Sequence, residues 1–172
     1  MKGIELLLDR GCRYSIKSRS DQKFNYLTLA NEFLSKESNK KKLMIAGINK
    51  LIPDHLHDFY FCGDSVMLHG LFHDYLVNTE IFDHVQFDIF YSFSRSYGMI
   101  PKLPYDLFKT PLMHDFIVKF LKDHCLVGSK EVFSELMWRG ELITTSQVNE
   151  SFFQEDLHES DLNSLINPKK MP

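Results

Sequence analysis

His69, His73, Asp74 and His84 are the residues whose types and spacing come nearest to a reaction centre. His69 and His73 are four apart, so on a helix they share one face, and paired imidazoles at that spacing can hold zinc. A metal-dependent hydrolase centred on His69, His73 and Asp74 is the enzymatic reading. It is short of parts. A catalytic zinc takes three protein ligands, and the position after the first histidine, where helical zinc hydrolases carry a glutamate base, is Gly70. Elsewhere there is no Gly-x-Ser-x-Gly, no phosphate-cradling glycine-rich loop and no Cys-x-x-Cys. Cys125 follows His124 directly, and adjacent side chains on a helix do not face each other. The chain therefore reads as a non-enzyme, with no catalytic residue, metal or cofactor expected.

The elements that would position any site are clearest between Phe108 and Gly140. Thr110 is placed to cap a helix, and Pro111 sits where its missing N–H costs nothing. Gly128 interrupts, Ser129 can cap a second helix, and Val132, Phe133, Leu136 and Met137 recur at helical spacing. Gly140 is placed as the glycine that ends that helix in the left-handed region.

Helix, turn, helix and glycine behind Thr110-Pro111-Leu112-Met113 resembles an ankyrin repeat, whose front motif is Thr-Pro-Leu-His. The pattern recurs. Gly3 to Gly11 looks like the second helix of a repeat. Asn25-Tyr26-Leu27-Thr28-Leu29-Ala30 stands in register with the front motif and Lys42-Leu43-Met44-Ile45-Ala46-Gly47 with the back. Gly63-Asp64-Ser65-Val66-Met67-Leu68-His69-Gly70 keeps Leu-His, and its back end runs from Phe90 to Gly98. The closing glycines, Gly11, Gly47, Gly98 and Gly140, are spaced by roughly 36, 51 and 42 residues against about 33 in the family, which implies longer loops or helices in the later units. The resemblance implies an all-α solenoid of stacked helix-turn-helix units with long irregular finger loops. Its array covers 1–149, as a half-repeat at 1–12 and repeats at about 13–47, 48–98 and 99–140. Residues 150–172 would form an acidic C-terminal cap or tail, with Glu150, Glu155, Asp156, Glu159 and Asp161 interleaved with Phe152, Phe153, Leu157 and Leu162. In the family the motif histidine, here His69, bridges backbone groups of a neighbouring loop.

Composition narrows the function classes. The chain has 172 residues, 44% apolar and 25% charged, with a formal net charge of −3. That balance makes no electrostatic case for nucleic acid. No run of 18 apolar residues exists, so no membrane span is expected. The apolar run after Met1 breaks at Asp9, too early for a signal peptide. Three cysteines without paired spacing argue for a reducing compartment, and the cytoplasm, or the interior of a host cell, is expected. Lys36, Lys40, Lys41 and Lys42 read as a solvated helix face and loop.

An ankyrin array would act by occupying a partner's surface through its concave finger-loop face. The expected partner-binding residues are Tyr14 and Arg19 on the first finger, Phe59, Tyr60 and Phe61 on the second, and Tyr105 and Phe108 on the third. Exposed aromatics and arginines are the usual interface anchors. The reading is a protein-protein interaction module, a monomer or part of a hetero-complex. The opening at Gly63-Asp64-Ser65 also resembles inhibitors of nuclear factor kappa B and the short viral ankyrin proteins similar to them. That implies a viral protein acting on a host factor, and a bacterial effector fits equally. The alternatives are the hydrolase above and a structural subunit of a larger complex.

Overall fold

A computed structural model describes residues 2–36, 42–49, 56–77, 85–96, 111–143 and 156–157. The chain begins with helix α1 (Lys2–Asp9), which ends where Gly11 turns into the left-handed region at φ 72°. There the Gly11 amide donates to the Leu8 carbonyl and the Cys12 amide to Leu7, the paired bonds of a glycine C-cap. Strand β1 (Tyr14–Ser18) and short strand β2 (Gln22–Lys23) follow. Helix α2 (Tyr26–Lys36) opens on Asn25, whose side-chain oxygen accepts from the Thr28 amide at 3.0 Å. Next come β3 (Leu43–Ile45), β4 (Ile48–Asn49) and β5 (Tyr60–Asp64). Asp64 then caps helix α3 (Ser65–Val77) by accepting from the amides of Val66 and Met67. Helices α4 (Val85–Ser96) and α5 (Pro111–His124) lead into β6 (Cys125–Val127). A 3₁₀ turn (Lys130–Phe133), the hairpin β7 (Met137–Trp138) and β8 (Glu141–Leu142), and β9 (Asp156–Leu157) complete the described elements.

The centre of the molecule is a four-stranded sheet in the order β1-β5-β3-β6. β5 is antiparallel to both neighbours, whereas β3 and β6 are parallel, with Leu43 opposite Cys125 and Ile45 opposite Val127. Side chains alternate across a strand, and here both faces are apolar. Leu43, Ile45, Phe61, Cys125 and Val127 join one core with Ile4 of α1, Leu68, Leu71 and Phe72 of α3, Ile89, Phe90 and Phe93 of α4, and Ile117, Phe120 and Leu121 of α5. Met44, Tyr60, Cys62 and Leu126 join the opposite core with Leu29 and Phe33 of α2, Phe24, and Val132, Phe133 and Leu136 around the 3₁₀ turn. Four helices therefore cover one face of the sheet, while α2 and the irregular C-terminal segment cover the other. A second sheet, β2-β7-β8, sits beside the second core, and β4 pairs with β9.

This architecture overturns the all-α ankyrin solenoid. Strands form where repeat helices were expected. Leu43 to Gly47, assigned to the back of a repeat, contains a central strand whose three residues are all buried. The second helix expected at 129–139 is one 3₁₀ turn followed by β7, so no antiparallel helix pair closes on Gly140. Arg139 at φ 52° and Gly140 at φ 87° are instead the two left-handed residues of a two-residue hairpin turn between Trp138 and Glu141. Tyr105, Phe108, His84, Thr110 and Gly98 lie outside the described residues. No described helix is long and apolar enough to cross a membrane.

Candidate docking groove

β1 is one of the two edge strands of the central sheet as described, paired there with β5 alone. Its sequence, Tyr-Ser-Ile-Lys-Ser, alternates as a half-buried strand does. Tyr14 and Ile16 lean on the second core. Lys17 lies on the opposite face, with its ammonium 5.6 Å from the Phe61 ring centroid and 5.2 Å from that of Phe72. Burial pushes the Lys17 pKa down, opposed by the Asp58 carboxylate.

Beside β1 the surface opens into a groove of about 280 Å³. Its floor is Tyr14, Ser15, Ile16 and Cys62. Ala30, Phe33 and Leu34 of α2 form one wall and Leu7 of α1 the other. Helical spacing puts Ala30, Phe33 and Leu34 on one side of α2, and Phe33 meets the Tyr14 ring edge-on at 5.3 Å. The apolar wall reaches the surface at Leu34, which is 55% exposed. An exposed leucine on an apolar groove beside a sheet edge is a costly arrangement for a free surface and is typical of contact sites.

The ends of the strand differ in charge. At its C-terminal end Arg19 is fully engaged: Nε and Nη2 donate to the two Asp21 oxygens at 2.9 Å each, and Nη1 donates to Asp58 at 3.0 Å. These hydrogen bonds raise the Arg19 pKa, and the Arg19 guanidinium holds the Asp21 carboxyl down at about 2, from an ordinary 3.8. The sign follows. A carboxyl whose folded pKa is depressed stabilises the fold above its unfolded pKa, and that contribution is lost as the pH falls through the folded value. Stability measured by urea unfolding is thus expected to decline between about pH 4 and pH 2, and Asp21→Asn is expected to flatten the curve in that window; an unchanged slope would show that the pair contributes nothing. At the N-terminal end, Arg10 and Arg13 are exposed, and neither is held in an ion pair among the described residues; Arg13 lies 4.8 Å over the Tyr14 ring.

The residues singled out from sequence scatter. Tyr14 lines the groove and Arg19 fixes the end of its floor strand. Phe59, Tyr60 and Phe61 lie in the two cores, at 7%, 0% and 0% exposure. They form and precede the central strand β5 rather than a finger loop. On α3, the His69 and His73 rings stack with centroids 6.1 Å apart. His69 Nε2 is 3.6 Å from a Glu5 oxygen and His73 Nδ1 is 3.8 Å from Asp74. His69 thus meets α1 rather than the backbone of a neighbouring loop. No three described His, Cys, Asp or Glu side chains converge as a metal site. Leu7, Ile16, Ala30 and Leu34 were not anticipated, although the alternation of Tyr14 and Ile16 with Ser15 and Lys17 was there to be read as a strand.

Neither a protein-family model, nor a curated protein, nor a solved structure matches the chain. The ankyrin resemblance therefore has no support from relatives either, and the short motifs that carried it are generic helix caps and turn glycines.

Proposed function

We propose that this chain is a protein-binding module whose docking surface is the groove between α1, β1 and α2. The observation that carries the reading is the coincidence of three features at one place: a sheet edge, an apolar channel of about 280 Å³ and an exposed leucine, Leu34, on its wall. Burying a leucine against such a channel contributes roughly 1.5–3 kcal/mol, so a few such anchors supply a large share of the binding energy, to which other contacts must add to offset the cost of association.

Selection of binders from a random-peptide display library on the folded protein tests this. Binders from wild type are expected to lose at least tenfold in affinity for Leu34→Asp. That substitution puts a charge on the groove wall at a half-exposed position and leaves the thermal midpoint nearly unchanged. Binders that tolerate Leu34→Asp as well as wild type would sink the assignment.

A further inference from the structure

We infer that the groove takes its ligand as an extended strand added to β1, and that the ligand carries a carboxylate at the Arg10–Arg13 end; this rests on the docking reading above.

The strand mode follows from hydrogen-bond parity. In an antiparallel pair, residues that exchange both bonds alternate with residues that exchange none. The Ser65 amide donates to the Arg13 carbonyl at 2.8 Å, which makes Arg13 and Ser65 a bonded pair. The register then makes Ser15 with Gly63, and Lys17 with Phe61, the next bonded pairs. Ile16 and Ser18 stand opposite Cys62 and Tyr60 in the intervening, non-bonded positions. Their N–H and C=O groups point away from β5, to the open side of the strand. The same residue that offers its backbone outward, Ile16, also lines the groove. A second strand laid about 4.8 Å from β1 would pair with those groups. Its alternate side chains would drop onto Phe33 and Leu34, which is how strand-addition sites divide affinity from selectivity. A helical ligand would satisfy its own backbone and leave these groups unanswered.

The charge preference follows from the two arginines. Both are exposed at the entry to β1, on either side of the Gly11 turn, and neither forms an ion pair among the described residues. An arginine fork recognises a carboxylate through paired N–H donors. A ligand with alternating aliphatic residues and an acidic group at this end matches both features. The carboxylates are those of Asp or Glu side chains, two of which match the two arginines.

Synthetic eight-residue peptides of alternating valine and threonine separate these cases. One form carries two aspartates at one end, one carries lysines there, and one ends in a free rather than amidated carboxylate. The aspartate form is expected to bind and the lysine form to bind at least tenfold more weakly; binding of the free-carboxylate form and not of the aspartate form would overturn the side-chain carboxylate. Arg10→Glu/Arg13→Glu should reverse that order. N-methylation of every second residue, which removes N–H donors and keeps the side chains, should abolish binding in one phase and leave it unchanged in the other. In amide hydrogen exchange, Ile16 and Ser18 should become protected on binding while Ser15 and Lys17 stay as they were. Equal tolerance of N-methylation in both phases would overturn the strand mode, and equal binding of the lysine form would overturn the carboxylate. If no such peptide binds while display still yields ligands sensitive to Leu34→Asp, the inference fails and the docking groove stands. If neither class binds, both fail together.

Discussion

Gly128→Ala is expected to destabilise the protein by roughly 2–3 kcal/mol, a fall in thermal midpoint of about 5–10 °C. Gly128 follows β6 and extends its parallel ladder by donating to the Ile45 carbonyl at 2.9 Å. A methyl group there would overlap the Tyr60 hydroxyl. Tyr60 has nowhere to go: it is fully buried, stacked on Phe133 at 5.7 Å and in contact with Phe24 at 5.3 Å. Its hydroxyl has no hydrogen-bond partner among the described residues, and burial, with Glu32 nearby, pushes its pKa well above the ordinary value. Tyr60→Phe alone is therefore expected to be neutral or to stabilise by about 1 kcal/mol. In the Gly128→Ala background it should recover most of the loss. Recovery is incomplete because the ring carbon Cζ would still lie 3.1 Å from the new methyl. Urea unfolding of the two single variants and the double variant measures the coupling; strict additivity would mean that the clash is relieved by backbone movement and not by the hydroxyl.

Glu32→Ala is expected to cost about 2–3 kcal/mol. The Glu32 carboxylate, on α2, accepts from the Ser129 amide at 2.8 Å, the Ser129 hydroxyl at 2.7 Å and Lys36 Nζ at 2.8 Å. The lysine arm is about a third exposed and contributes the least. The two bonds to Ser129 matter more. They satisfy the turn that leaves β6, and they tie α2 to a residue 97 positions away. Removing the carboxylate leaves the Ser129 amide without an acceptor in a half-buried place. Ser129→Ala should cost less, since the amide bond survives. A loss under about 0.5 kcal/mol for Glu32→Ala would show that water replaces the carboxylate freely.

Much of the local structure was legible in the residues, and the architecture was not. Asn25 caps a helix and Pro111 begins one, as their types require, and Gly11 ends α1 in the left-handed region. These signals are local and survive any tertiary context. The strands escaped because of their length and burial. Leu43–Ile45 and Cys125–Val127 have three residues each, all buried. A strand apolar on both faces shows no alternation, so its apolar run cannot be told from part of a helix by periodicity. Gly140 shows the same ambiguity from the other side. A left-handed glycine after an apolar stretch serves a helix end or a hairpin turn equally, and the outcome turned on Met137 and Trp138 pairing with Lys23 and Gln22, more than a hundred residues away. For the groove, Ile16 and Tyr14 carried a period-two signal, but Leu7 and Leu34 reach it only through the packing of α1 and α2.

The parallel pairing of β3 with β6 also has a consequence during synthesis. Ile45 leaves the ribosome about 80 residues before Val127, and at about 5–20 residues per second that is an interval of several seconds. Until then β3 has an apolar flank and no partner on that side, whatever β5 has already done on the other. The nascent chain is thus exposed to misassociation at β3, in its first third, and a holdase that grips extended aliphatic segments would find its substrate there and lose it once β6 docks.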